Sequence, residues 1–245
     1  MQFGILGRTG RMGRLLAEEV VAAGHTLGGP SGPGRADPVL LACENDAVLD
    51  FTNAEAVGAH ARAMAGGRAV WVLGTSGLSL ADEALVRDAA RQVPVVYAPS
   101  FAPGVTLLLA LAEQAGALLS AEMFDAEITE MHHRAKVDAP SGTALGLGRA
   151  VAAGRRVALA DVAIRGRDGV TGPRPVGGIG FASLRGGQVV GRHTVLFAGT
   201  DEHLTLSHEA FDRRVFATGA VRAAIWAMGR PPGLYSMRDV LGLST

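Results

Sequence analysis

The chain has 245 residues, 48% hydrophobic and 19% charged, with 23 basic side chains matched by 23 acidic ones. It is long enough for one large domain or two modest ones, its composition excludes a disordered chain, and its balanced charge excludes general attraction to nucleic acid or to an anionic membrane. The single cysteine, Cys43, excludes an internal disulfide framework, and Met1 runs straight into a strand-like segment without a signal peptide, so a cytoplasmic protein is expected.

Phe3-Gly4-Ile5-Leu6 reads as a first strand. Arg11 to Ala23 reads as a helix, because Met12, Leu15, Leu16, Val20 and Ala23 recur at helical spacing. His25 to Gly29 is a short second strand, after which one peripheral strand–helix unit looks trimmed. Ala47 to Phe51, Ala69 to Leu73 and Val93 to Ala98 are short apolar runs without alternation, as strands covered on both faces require. Ala54 to Ala65 and Leu80 to Arg91 fall between them as helices. This alternation predicts an α/β fold with a Rossmann-like doubly wound parallel sheet over residues 1–102, completed by 213–245.

After Pro103-Gly104 the rhythm changes. Val105 to Leu119 reads as a helix, and its apolar run ends at Glu113 and Gln114, well short of the roughly 18 residues that span a bilayer. In Phe124 to Met131, the alternation of Phe124, Ala126 and Ile128 with polar neighbours marks a half-exposed strand. Val162 to Arg167, Gly180 to Arg185, Gln188 to Phe197 and Glu202 to Ala210 read as further strands, with Arg185-Gly186-Gly187-Gln188 as a hairpin turn. The expectation is a second α+β domain over 103–212 with a mixed or antiparallel sheet. Val215 to Met228 returns to helix, with Val221, Ala224, Ile225 and Met228 on the face expected to pack against the first domain.

Gly7-Arg8-Thr9-Gly10-Arg11-Met12-Gly13 joins the first strand to the first helix. Glycines there tighten the turn and let backbone approach a pyrophosphate, whose charge suits a helix N-terminus. The spacing is G-x-x-G-x-x-G, so the motif's position carries as much weight as its pattern. Gly74-Thr75-Ser76 and Pro99-Ser100-Phe101-Ala102 follow two other strands at the same sheet edge, where open α/β sheets bind ligands. After the second strand, where an acid or arginine normally meets the ribose, stand Gly32-Pro33 and Arg35. The expected cofactor is NADH or NADPH, and the choice between them is poorly written in these residues.

Glu130 to Ala144 concentrates chemistry: His132, His133, Arg134 and Lys136, then Ser141 after a proline. Ser141 is a credible N-cap, leaving the N–H groups of Gly142 and Thr143 free for an anion near Lys136. A helix dipole contributes about 0.3–1 kcal/mol, so full charges must do most of the holding. A small carboxylate-bearing substrate follows. Zinc is not expected, since no second His/Cys cluster has ligand spacing, and Ser141 lacks the surroundings of a hydrolase nucleophile.

His132-His133-Arg134-Ala135-Lys136-Val137-Asp138-Ala139-Pro140-Ser141-Gly142-Thr143-Ala144 closely resembles the H-H-x-x-K-x-D-A-P-S-G-T-A segment of the dihydrodipicolinate reductases. The resemblance extends to Arg11-Met12-Gly13, Asp50-Phe51-Thr52, Gly74-Thr75-Ser76-Gly77, Gly180-Phe181-Ala182-Ser183, Gly191-Arg192-His193-Thr194 and Met237 to Leu241. It implies reduction of an unsaturated ring dicarboxylate by NADH or NADPH, giving tetrahydrodipicolinate in lysine and diaminopimelate biosynthesis. It further implies His132 as proton donor or acceptor, Lys136 as proton donor, His133 with Ser141, Gly142 and Thr143 at the substrate carboxylates, and a homotetramer built through the C-terminal sheet. Where many relatives have Asn-Phe-Ser, this chain has Ser100-Phe101-Ala102, and where many carry an acid after the second strand it has Gly32-Pro33, a departure that implies modest discrimination between NADH and NADPH. Without the long segment, another Rossmann dehydrogenase acting on an amino or oxo acid, such as an aspartate or homoserine dehydrogenase, or a non-catalytic dinucleotide sensor would be the alternatives.

Overall fold

The computed structural model describes residues 1–29 and 37–243. Gly32, Pro33 and Arg35, on which the expectation about cofactor discrimination rests, lie outside the described residues. In chain order the elements are β1 (Gln2–Leu6), α1 (Arg11–Ala22), β2 (Thr26–Leu27), α2 (Pro38–Glu44), β3 (Ala47–Asp50), α3 (Ala54–Ala65), β4 (Val70–Leu73), α4 (Leu80–Ala89), β5 (Pro94–Tyr97) and α5 (Pro103–Leu118). They continue as β6 (Asp125–His132), α6 (Gly142–Gly154), α7 (Leu159–Val162), β7 (Ala163–Ile164), β8 (Ile179–Arg185), β9 (Gly191–Ala198), β10 (His203–Ala210), α8 (Arg214–Ala227), β11 (Gly233–Tyr235) and α9 (Met237–Val240). The described chain divides into two compact units, one of Met1–Pro103 with the C-terminal segment from Arg213, the other of Gly104–Asp212.

The first unit is a six-stranded sheet in the order β11-β5-β4-β3-β1-β2, and every pairing in it is parallel. Alternate residues of its buried strands serve opposite faces. Ala47, Leu49, Val70 and Val72 pack with α1 and α8, whereas Val48, Trp71 and Leu73 pack with α2, α3 and α4. That double covering is why the strands read as unbroken apolar runs. The Rossmann-like expectation holds, with a sixth strand, β11, too short to stand out.

The second unit is a five-stranded mixed sheet in the order β10-β9-β6-β8-β7. β6 pairs parallel with β8 and antiparallel with β9, so it lies between them. The expected hairpin over Arg185 to Gln188 is therefore corrected: the turn passes around the end of β6 instead of joining neighbours. Gly186 N–H donates to the His132 carbonyl at 3.0 Å, and Arg134 N–H donates to the Gly187 carbonyl at 3.3 Å. A second correction concerns Val162 to Arg167, where only Ala163–Ile164 is strand and α7 ends at Val162. On α8, Val221 and Ala224 are buried, but Ile225 and Met228 are 43% and 39% exposed. Its packing face joins Val221 and Ala224 to Ala217, Ala220, Ala223 and Ala227, mostly side chains that admit close backbone approach.

Candidate active site

In the first unit, three loops emerge from the carboxyl ends of β1, β4 and β5. Gly7 has φ +73°, a conformation L side chains rarely adopt, and its carbonyl accepts from Gly10 N–H at 2.9 Å. A Cβ on Gly13 would lie 2.2 Å from the Gly7 carbonyl oxygen, so glycine there is required for α1 to start this close to the turn. Gly10 is the N-cap of α1 and has no side-chain cap, and the first turn carries no acid. The N–H groups of Arg11 and Met12 thus lack an intrahelical acceptor, and Arg8 and Thr9 stand exposed beside them. This is a cradle that fits a dinucleotide pyrophosphate.

After β4, Gly74 is half-buried and Thr75 is 3% exposed with no partner for its hydroxyl oxygen among the described residues; Ser76 is exposed. Such an orphan at a loop tip suits a ligand that supplies the missing hydrogen bond. After β5, Pro99 is exposed and Ser100 half-buried, whereas the side chains of Phe101 and Ala102 belong to the core, leaving backbone as what these two can offer.

In the second unit, the inward row of β6 runs Ala126, Ile128 and then Glu130, a carboxylate only 2% exposed. Four groups converge on it. His132 Nδ1 lies 2.6 Å from Oε2, Arg185 donates through Nη1 to Oε2 and through Nη2 to Oε1 at 2.8 Å each, and Ser141 N–H donates to Oε1 at 3.2 Å. Burial alone would push the Glu130 carboxyl up, but hydrogen bonds from Arg185, His132 and Ser183 hold it at about 2. It is a carboxylate at neutral pH and cannot donate, so the proton in the 2.6 Å contact is on His132 Nδ1. Burial pushes His132 below its ordinary imidazole value against the pull of Glu130, leaving a bare Nε2 on the neutral ring.

Ser141 N-caps α6: its hydroxyl accepts from Ala144 N–H at 3.2 Å and meets His193 Nε2 at 3.0 Å. With the residue 2% exposed, that hydroxyl is engaged internally, and the outward groups of the helix start are Gly142, which is exposed, and Thr143, half-buried. His133 is half-buried, and its carbonyl accepts from Lys136 N–H at 3.1 Å. Lys136 Nζ lies 2.8 Å from Asp138 Oδ1, and Arg185 Nη2 donates to the Asp138 carbonyl at 2.6 Å, tying this loop to β8. His132, Lys136, Ser141 and the start of α6 are thus joined through Glu130 and Arg185.

Glu130, Arg185 and His193 were not among the sequence-predicted site residues. His193 is 4% exposed and crosses His132 edge-on at 5.0 Å between ring centroids. Burial, with the neighbouring His132, pushes it down to about 4. The legible signal was a carboxylate on the core-facing row of β6. Among the described residues no group of three or more His, Cys, Asp or Glu side chains could hold a metal ion, and no helix is long and apolar enough to cross a membrane.

The family model for the dihydrodipicolinate reductase N-terminus matches residues 33–101, and that for the C-terminus matches residues 104–241. A 4-hydroxy-tetrahydrodipicolinate reductase of Granulibacter bethesdensis is 59% identical over 99% of this chain and 97% of its own length. One of Acidiphilium cryptum is 58% identical over 99% and 98%. A dipicolinate-bound dihydrodipicolinate reductase from Paenisporosarcina sp. TG-14 shares the fold, with TM-score 0.76 and 22% identity over 98% of each chain.

Proposed function

The chain belongs to the dihydrodipicolinate reductase family, and on that premise we propose how its own residues serve the reaction. It is an oxidoreductase that takes NADH or NADPH and reduces 4-hydroxy-tetrahydrodipicolinate to tetrahydrodipicolinate in lysine and diaminopimelate biosynthesis. Family membership sets aside an aspartate- or homoserine-type dehydrogenase and a non-catalytic dinucleotide sensor. The nicotinamide, when bound, supplies the hydride. Gly7 to Met12 would hold the pyrophosphate, with Gly74 to Ser76 and Pro99 to Ala102 flanking the rest of the dinucleotide. We assign residues 1–102 with 213–245 to cofactor binding and 103–212 to substrate binding and oligomerisation.

The observation that carries the assignment of roles is the convergence of His132, Arg185 and Ser141 on one buried carboxylate. Glu130 fixes the His132 tautomer and, through Ser141, ties the start of α6 to the same point. The substrate carboxylates then meet Gly142 and Thr143 N–H groups and His133, while Lys136 delivers a proton. Bare Nε2 makes His132 an acceptor, and Lys136 the better donor of the two. The dipicolinate bound by the Paenisporosarcina relative supports a cyclic dicarboxylate as substrate class.

Proton delivery by a placed side chain is worth about 10²–10⁴-fold in rate. Lys136→Ala and His132→Gln should each lower kcat by about that range, with NADH binding retained. Steady-state kinetics with the substrate generated in situ checks this, and unchanged kcat in both variants would remove them from the mechanism. A cytoplasmic setting and a homotetramer built on the second sheet belong to the same reading. The outer face of that sheet supports the latter: Leu184 is 55% exposed there, level with the half-buried Met131, and Ala182 lies level with Thr129.

A further inference from the structure

The strand order of the first sheet reverses between β1 and β3, and such a reversal is where an open α/β sheet forms its ligand crevice. Asp50 ends β3 at this point. Its Cα partners are Leu6 on β1 and Leu73 on β4, the residues that lead into the Gly7 turn and the Gly74 loop. It is 0% exposed, and it takes no part in the chemistry above.

Asp50 Oδ1 accepts from the Thr52 hydroxyl at 2.7 Å and from Thr52 N–H at 3.3 Å. Its Oδ2 lies 2.8 Å from Nδ1 of His60, which reaches back from α3 with a side chain 12% exposed. At the far end of the same short loop, the Asn53 side chain caps α3 by accepting from Ala56 N–H at 3.1 Å. Phe51 and Thr52 are therefore pinned from both sides.

What they touch gives the pinning a purpose. A Cβ on Gly74 would lie 2.2 Å from the Phe51 ring, and Phe51 packs on Phe101 with 5.4 Å between ring centroids. A Cβ on Gly7 would lie 3.1 Å from Thr52 Cγ2. The two residues thus meet all three loops at the cofactor edge.

We propose that Asp50 and His60 are a positioning pair for the dinucleotide site, holding Phe51 and Thr52 as the spacer that sets the Gly7, Gly74 and Phe101 loops apart. A buried polar pair is weak evidence for stability, since apolar side chains of similar volume often serve as well. Here the hydrogen bonds orient one loop instead of filling a core. The inference rests on reading those three loops as the cofactor site.

The test is NADH binding without substrate, followed by nucleotide fluorescence, together with steady-state kinetics. His60→Leu should raise the NADH Kd and KM about tenfold, a change of about 1.4 kcal/mol, with kcat at saturation within about threefold. Binding of dipicolinate, as a probe of the substrate site, should not change. His60→Asn, whose amide can donate from the place of Nδ1, should restore most of the affinity. Thr52→Val, which removes only the hydroxyl, should weaken NADH about threefold and serves if His60→Leu fails to fold. A folded His60→Leu protein that binds NADH within about twofold of the unaltered chain, or that loses dipicolinate equally, overturns the proposal. Gly10→Glu, which places a carboxylate at the α1 N-terminus, tests the cofactor reading separately: undiminished NADH binding there would overturn both.

Discussion

Glu130 and His193 make the second unit sensitive to acid. Glu130 is held at about 2 against an ordinary 4.5, so its contribution is present above about 4.5 and is lost as pH falls toward 2. His193 is held at about 4 against 6.5 because it is buried as the neutral ring. The unfolded chain takes up a proton there below about 6.5 and the folded chain does not until about 4, so stability falls as pH falls through that window. Each shift corresponds to about 3 kcal/mol. The denaturant midpoint should decline as pH falls from about 6.5 toward 4, with Glu130 adding to the decline below about 4.5. His193→Gln, which keeps a hydrogen-bonding amide at the place of Nε2 for Ser141, should flatten the decline between pH 6.5 and 4. Identical slopes in the two proteins would show that His193 is not responsible.

Several helices in this chain come close to their neighbours at a glycine, and one such approach reaches the loop after β5. A Cβ on Gly219 of α8 would lie 1.8 Å from the Phe101 carbonyl oxygen. Gly219→Ala must displace either the helix or the loop after β5, at a typical cost of about 1–3 kcal/mol for added core bulk. A lower thermal midpoint and weaker NADH binding are expected together; a variant as stable as the parent would mean the contact is slack. The same packing explains what could be read from sequence and what could not. Uninterrupted apolar runs revealed β3, β4 and β5 because both faces of each strand are covered, and the glycines of the first turn revealed the cradle. The α8 face was misjudged because Ile225 and Met228 looked apolar enough to bury, while mostly alanines make the actual contact. Turn chemistry announced a chain reversal at Gly186-Gly187 but not that β6 would lie between the two strands. His132, Lys136 and the α6 start could be proposed together from sequence because they fall within 13 consecutive residues. Arg185 was not, since its bond to Glu130 spans 55 positions.

At the scale of the whole molecule, the outward face of the second sheet carries an exposed leucine among charged and small side chains. On β6, β8 and β9 the outward row holds Thr129, Met131, Ala182, Leu184, Thr194 and Leu196 together with the charged Asp125, Glu127 and Arg192, while the inward row fills the core. Leu184, at 55% exposure, is the most open large apolar side chain in this row. We propose that this face packs on a copy of itself at about 10 Å between sheets, with Leu184 in the contact. A homotetramer of a 25.2 kDa chain should elute and scatter light at about 100 kDa. Leu184→Glu would place a charge in each apolar contact, where an unpaired buried carboxylate costs several kcal/mol, and should shift the species toward dimer or monomer. Leu184 projects from the face opposite Glu130 and His193, so the variant should keep its folded circular dichroism spectrum. Light scattering that finds the unaltered chain monomeric would overturn the tetramer, and a Leu184→Glu protein still tetrameric would place the assembly surface elsewhere.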